Sequence, residues 1–302
     1  MTYRSILGLV VVFCLLAAVP ARAEVSVSCP DTVSPGQPFL VRVSAPEGLA
    51  AVRLQWRDRT VEPPVRPAPG ASSGDTKTAP ATRADVLLGL GLDEKPGTLS
   101  LRVRATTAAG ARVAVLRTLR VVPKQYPEER LTVKKGFVHL DEKALARHNK
   151  EKAMVHEAME HLDAAPQWSC PFVRPVPGKV LSVFGMRRVF NGEPRSPHSG
   201  VDFRGAVGTS VHAAAAGRVL VADDLYFAGN CVYIDHGQGV VTVYAHLSRI
   251  DVRPGQEVAA GQVLGKVGAT GRVTGPHLHF GAFVYGELVD PEVLLNPDCA
   301  AR

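Results

Sequence analysis

From Cys170 to its end the chain places 18 of its 28 glycines. A glycine inside a helix costs about 1 kcal/mol relative to alanine, so such a stretch cannot build long helices. Its apolar residues come in short runs instead: Val180 to Phe184, Gly217 to Val221, Val232 to Asp235, Val240 to Tyr244, Val263 to Val267 and His277 to Phe283. Runs of this length, punctuated by glycine, read as strands joined by tight turns. The region is therefore expected to form a compact β unit. It has no glycine-rich turn leading from a strand into a helix, which argues against nucleotide binding.

The segment from Glu24 to about Pro123 is a different β texture. Val25, Val27 and Cys29 alternate with polar residues, as do Phe39, Val41 and Val43, then Val52 and Leu54, then Leu99, Leu101 and Val103, then Val113 and Val115. Period-2 segments separated by turn residues predict a sandwich. Glu62 to Ala81 is rich in Pro, Ala, Ser and Gly and reads as a mobile loop. No titratable cluster occurs in this half, which suits a targeting, spacing or covering module.

Residues 1–23 stand apart. Arg4, the apolar run Ile6 to Val19 and Ala21-Arg22-Ala23 form the pattern of a cleaved secretory signal, too short for a bilayer span. Cleavage would remove Arg4 and Arg22 and no acid, lowering the net charge from +7 to +5. A mildly basic balance suits an acidic polymer without choosing one. With no dense Lys/Arg block and only 6% aromatic residues, nucleic acid is not expected as a partner. No stable membrane span is expected after cleavage, and the oligomeric state is left open. Cys29, Cys170, Cys231 and Cys299 would remain in an oxidising compartment, allowing two disulfides, one or none.

One long helix is predicted, from Asp141 to Leu162, capped by Asp141 and with Val155, Ala158, Met159 and Leu162 on one face. It carries a decoy. His156 and His161 resemble a zinc-protease pair, but that motif needs histidines four apart. At a spacing of five they diverge by about 140° round the helix. They are read as exposed helix histidines, as are His139 and His148. The expected organisation is thus a signal at 1–23, a sandwich at 24–123, a linker at 124–169 with the helix at about 141–162, and the glycine-rich β domain at 170–302.

Three clusters in that last domain carry chemistry: His198-Ser-Gly-Val-Asp202, Tyr244-Ala-His246-Leu-Ser248 and Gly275-Pro-His277-Leu-His279-Phe280. His277 and His279 are two apart, so in a strand they share a face. A half-exposed strand with two polar residues would explain that pair equally well on its own. His198 and Asp202 add a nitrogen and an oxygen donor. Imidazole and carboxylate together suit zinc, and three protein ligands leave a position for water. A spare neutral histidine can then serve the water or the developing oxyanion. Spacing does not decide which of His277 and His279 would bind metal.

These motifs, with Ser182-Val-Phe-Gly-Met-Arg187, Ile234-Asp-His-Gly237, Val252-Arg-Pro-Gly255 and Gly268-Ala-Thr-Gly271, resemble in content and order the M23 family of zinc metallopeptidases, the lysostaphin/LytM group, across roughly Phe172 to Leu295. The resemblance implies that His198, Asp202 and His279 bind one Zn2+ and that His246 and His277 are the two catalytic histidines that do not. It implies that Asn230 and Tyr244 line the substrate groove. Cys231 lies beside Asn230, which leaves room for a disulfide at the groove rim. His212 and His236 match no catalytic position and are read as structural. The front half resembles the Ig-like modules that precede some of these enzymes. The fold class implied is mainly β: an Ig-like β-sandwich, a linking helix and a LytM-type antiparallel β domain with a groove.

The function implied is that of an exported zinc endopeptidase, in the periplasm or cell envelope, that hydrolyses peptide cross-links of peptidoglycan and has its stem peptides as partner. Two alternatives stand beside it. One is a non-enzymatic activator of murein amidases, although such relatives lack members of the His/Asp set. The other is a zinc peptidase acting on another glycine-rich or wall-associated protein.

Overall fold

The computed structural model describes residues 24–69, 81–132 and 140–296. The expected signal segment, His139, Cys299 and most of the loop expected over Glu62 to Ala81 lie outside these residues.

The front half contains β1 (Ser26–Ser28), β2 (Thr32–Val33), β3 (Pro38–Ala45), β4 (Leu49–Trp56), β5 (Arg59–Val61), β6 (Arg66–Pro67), β7 (Thr82–Gly89), β8 (Gly97–Thr107) and β9 (Arg112–Val121). They form two sheets, in the orders β1-β3-β7-β6 and β2-β9-β8-β4-β5. Alternation decides which side chains go inward: Leu101, Val103 and Ala105 are buried, while Arg102 and Arg104 between them face solvent. The core between the sheets holds Phe39, Val41, Leu54, Trp56, Val86 and Leu88 among others. Within the expected loop, Arg66–Pro67 pairs with β7 as an edge strand.

Two of these strands are covered on both faces. Phe39, Val41 and Val86 point into the sandwich, but Leu40 and Leu87 belong to the core of the second half, with Phe184, Val289 and Leu294. A Cβ placed on Gly89 would stand 2.7 Å from Val289, so the two halves meet closely. Polar bonds cross the seam as well: Gln238 Nε2 donates to the Asp85 carbonyl at 3.2 Å, and Asp290 N to the Gly36 carbonyl at 2.7 Å.

Between the halves lie β10 (Glu128–Leu131) and α1 (Glu142–Ala158). Asp141 caps α1 by accepting from Ala144 N at 2.8 Å. The helix ends at Ala158, a turn before the predicted Leu162. It is polar nearly all round, with Ala144 its one buried residue, and is held to the second half by Arg147 Nη2 donating to Asp224 O and Tyr226 N donating to Glu151 Oε2, each at 2.8 Å.

The second half adds β11 (Val180–Ser182), β12 (Arg187–Phe190), β13 (Glu193–Arg195), β14 (Gly200–Arg204), β15 (Ser210–His212), β16 (Gly217–Leu225), β17 (Gly229–Asp235), β18 (Val240–Ile250), β19 (Glu257–Val258), β20 (Val263–Val267), β21 (His277–Val284), β22 (Glu287–Val289) and α2 (Pro291–Leu295). The main sheet has ten strands with the central order β11-β14-β21-β18-β17-β16-β19, paired antiparallel. A small sheet β10-β12-β13 stands beside it, with β10 parallel to β12. The molecule is mainly β. No helix among the described residues is long and apolar enough to cross a membrane.

Candidate active site

The site is set by the register of β14, β21 and β18. Asp202 lies directly opposite His279, and His279 directly opposite Ala245. Strand alternation then sorts the side chains. Leu278, Phe280, Val201 and Phe203 enter the core, and Asp202 and His279 emerge together on the other face. Gly200 permits this approach: a Cβ there would collide with the Phe280 carbonyl and press on the His279 ring at 2.9 Å.

His198 precedes β14. Its backbone is clamped by Gly185 N donating to His198 O at 2.8 Å and His198 N donating to Met186 O at 2.9 Å. Its Nδ1 sits 2.9 Å from the Val183 carbonyl and 3.1 Å from Ser182 Oγ. Nδ1–H donating to that carbonyl leaves the Nε2 lone pair free to face the site. The Ser182-to-Met186 stretch thus acts as the bracket of His198.

His246 is built differently. Its backbone lies in the left-handed region at φ 65°, where the β17–β18 register slips. A non-glycine residue there is strained and persists only when its surroundings hold it. Here His246 N donates to Ala228 O at 2.9 Å and Nδ1 donates to Thr270 O at 2.9 Å. Thr270 is fixed in turn through Oγ1, which donates to Leu247 O at 2.8 Å. The slip turns His246 onto the groove face although its neighbour Ala245 is already there. His277 Nδ1 donates to Gly275 O at 2.8 Å, and its ring centroid lies 4.9 Å from that of His246.

Three donor atoms converge. His198 Nε2 is 3.0 Å from Asp202 Oδ1, His198 Nε2 is 3.0 Å from His279 Nδ1, and His279 Nδ1 is 2.9 Å from Asp202 Oδ1. Tetrahedral zinc with ligands at about 2.0–2.1 Å separates them by roughly 3.3 Å, so a small relaxation of this triangle suits that ion. His277 Nε2 stands farther out, 3.7 Å from Asp202 Oδ1. Burial opposes ionisation of Asp202, but hydrogen bonds from His198 and His279 outweigh it and hold the carboxyl well below the usual range. Burial lowers the His279 pKa despite Asp202. Burial, helped by His279 and His277, lowers that of His246 to about 3, so its imidazole is neutral at pH 7.

The triangle opens on a cavity of about 1170 Å3. Tyr233, Val243 and Gly281 are on its floor, and Phe190 and Phe227 are among its walls. Leu92 to Lys95 of the sandwich also reach it. Sequence reasoning missed Tyr233, Phe190, Phe227 and three arginines, Arg188, Arg195 and Arg272. These residues occur in ordinary strand and loop contexts, and only the fold brings them to one groove.

Several expectations need correction. Tyr244 does not line the groove. It is fully buried, its hydroxyl accepting from Ala214 N at 2.7 Å, because even-numbered residues of β18 face the core before the slip. Asn230 does not line the cavity either; its Nδ2 donates to Leu247 O at 3.1 Å, supporting the turn beside His246. Cys231 is a free, buried thiol pushed up to about 12 by burial and then by Asp223 and Asp224, so no disulfide sits at the rim. Cys170 is disulfide-bonded and Cys29 is free. His148 is not a bare surface histidine: its ring packs on Phe227 at 4.8 Å, at the cavity wall. His156 is exposed as expected, with Glu160 Oε1 3.7 Å from its Nε2. His236 is wholly buried, bonded to the Ala216 carbonyl and Thr242 Oγ1 at 2.7 Å each, and His212 Nδ1 lies 2.8 Å from Gly261 O.

Comparison with known proteins agrees with this architecture. Residues 196–291 match the model of Peptidase family M23. A Pseudomonas aeruginosa protein solved as a peptidase M23 is 30% identical, with a TM-score of 0.62 over 87% of this chain and 95% of that one. The chain belongs to peptidase family M23. Among curated relatives, the peptidoglycan DD-endopeptidase ShyA of Vibrio cholerae is 43% identical over 113 residues, 37% of this chain and 26% of ShyA. The DD-carboxypeptidase/endopeptidase Mpg of Neisseria meningitidis is 45% identical over 100 residues, 33% of this chain and 23% of Mpg. The match thus spans about a quarter of the length of these relatives. The members of this family are zinc metallopeptidases, and the His198, Asp202 and His279 donor set fits that ion.

Proposed function

We propose that this protein is an exported zinc endopeptidase that hydrolyses peptide cross-links of peptidoglycan. The observation that carries the reading is the His198–Asp202–His279 triangle, opening on a groove in a chain of this family. Those three residues would hold one zinc ion, which supplies Lewis acidity toward the scissile carbonyl and toward water.

The remaining work belongs to the chain. His246, neutral and with Nδ1 engaged by Thr270, presents Nε2 as a base for the attacking water. His277, fixed through Gly275, stands across from His246 and, in its imidazolium form with a proton on Nε2 as well, is the donor to the developing oxyanion. Asp202 and the Val183 carbonyl keep the imidazoles from turning. The groove floor takes an extended peptide along β18. Retention of all five His/Asp side chains favours an enzyme over a non-enzymatic activator. Residues 1–23 would direct export to the periplasm or cell envelope, 24–123 would form an Ig-like front module, 124–169 the linker, and 170–302 the peptidase domain.

The test is mass spectrometry of purified cross-linked muropeptide dimers incubated with the zinc-loaded protein. Conversion of each dimer to two monomers, with one new amine and one new carboxylate, is the expected result. Intact dimers with new reducing sugar ends, or cleavage only between sugar and stem, would overturn the reading.

A further inference from the structure

The outer face of the front module's sheet β2-β9-β8-β4-β5 is basic. Strand alternation turns Leu101, Val103 and Ala105 inward and Arg102 and Arg104 outward, and the register then gathers cations from three strands. Arg53 lies directly opposite Arg104, Arg112 opposite Thr106 and Arg120 opposite Thr98, so five exposed arginines share one face. No two of them adjoin in the chain, so they form no block in the sequence. Residues 24–123 hold 13 Lys and Arg against 9 Asp and Glu, a net charge of +4. That is four of the five positive charges expected of the chain without residues 1–23.

The exposed residues of β4, β8 and β9 include no acid. Glu62, just after β5, answers Arg53 at 2.7 Å. The side chains of Arg102, Arg104, Arg112 and Arg120 have no hydrogen-bond or ion-pair partner among the described residues. Like charges facing each other across a sheet are unfavourable, so the pattern is not one that stability alone would select. The face is also clear of the second half. The sheet of β3 and β7 lies between the two, its Leu40 and Leu87 packed on the peptidase-side core. The groove is a separate place, which the sandwich meets only at Arg57 and at the connection from Gly91 to Lys95.

We propose that this face binds the peptidoglycan polymer itself, through free carboxylates of its stem peptides, and holds the wall while the groove cuts it. This deepens the endopeptidase reading above and rests on it. Every cation on the face is an arginine, whose planar fork pairs with a carboxylate through two hydrogen bonds. Arginines spread over three strands can meet several anionic groups of one polymer at once, each contact weak and the sum strong. A bilayer fits less well: no aromatic side chain is exposed on these strands, and Leu116, 61% exposed, is the one large apolar side chain there. The same lack of aromatic residues leaves no platform for stacked bases.

The experiment is co-sedimentation of the zinc-loaded full chain with purified insoluble peptidoglycan, in a His246→Ala background so that the polymer is not digested. The triple variant Arg102→Gln/Arg104→Gln/Arg120→Gln is compared with Lys143→Gln/Lys150→Gln/Lys152→Gln, which removes the same charge from exposed positions of α1. The arginine variant is expected to bind about 10- to 100-fold more weakly, and the lysine variant as the parent does. Binding should also weaken as salt is raised and fall away on peptidoglycan whose carboxylates have been amidated. Circular dichroism verifies folding, and Arg102→Gln/Arg104→Gln carries the test if the triple variant does not fold. With His246 restored, the arginine variant should digest insoluble peptidoglycan more slowly by a similar factor and cleave soluble cross-linked dimers at an unchanged kcat/KM. Equal binding by arginine variant and parent, or to native and amidated polymer, would overturn the proposal. So would tighter binding to anionic phospholipid vesicles or to double-stranded DNA than to peptidoglycan. If the parent cleaves no soluble dimer, the endopeptidase reading fails and co-sedimentation still decides the face.

Discussion

The two faces of β14, β18 and β21 obey different rules. On the inner face Val201, Phe203, Tyr244, Leu278 and Phe280 are buried and the local pattern agrees with the global packing. On the groove face, one residue along each strand, Asp202 is a buried carboxylate, His279 is a half-buried imidazole and His246 has a left-handed backbone. The inner face supplies stability, and the outer face uses it to hold groups that would not assemble unaided. The difference shows why chemistry can occupy alternate positions of the same strands without dissolving the sheet.

The comparison can be broken most severely from the outer face. His279→Ala and Asp202→Ala should each abolish bound zinc and reduce cleavage to background, with the fold intact by circular dichroism. Full zinc occupancy in both variants would refute their assignment as ligands. His246→Ala should keep zinc and lower kcat by about 100- to 1,000-fold, the usual cost of a lost acid/base or oxyanion group. Should zinc leave with His277→Ala but stay without His279, the two roles are exchanged.

From the inner face, Phe280→Ala should cost about 3–5 kcal/mol in urea unfolding, since it empties a fully buried aromatic site. A loss of activity larger than the loss of folded protein would show that the two faces are not separable. His236 gives a smaller, pH-dependent effect. Burial lowers its pKa to about 4, against about 6.5 unfolded. As pH falls, the unfolded chain takes up the proton first, so stability is complete above about pH 6.5 and declines toward pH 4, by up to about 3 kcal/mol. His236→Gln should flatten that decline when unfolding is followed across the range. Smallest of all, His156→Ala and His161→Ala should leave cleavage unchanged and stability within about 0.5 kcal/mol.

How much of this was legible from the amino acids follows the same division. Residues that obey alternation were readable: Val263 to Val267 forms a strand over those very bounds, and His277 and His279 share a face. The His198-Ser-Gly-Val-Asp202 motif led to the metal site because its donor types are unusual together. Tyr244 was misplaced because the register slip at His246 reverses which residues face the groove, and a slip leaves no mark in the alternation before it. Asn230 was misplaced for the same reason, being part of the turn that supports the slip. Arg188, Arg195 and Arg272 carried no signal at all, because their proximity comes from three separate connections meeting at one wall.

The sheet of β3 and β7, buried on both faces, has a consequence for how the molecule comes apart. Leu40 and Leu87 complete the peptidase-side core, so pulling the front half away would strip apolar cover from Phe184, Val289 and Leu294. Heat should then melt both halves in a single calorimetric transition. The leading unit is not a bead that evolution or a protein engineer can swap for another. Any replacement would have to bring its own pair of leucines to the same seam.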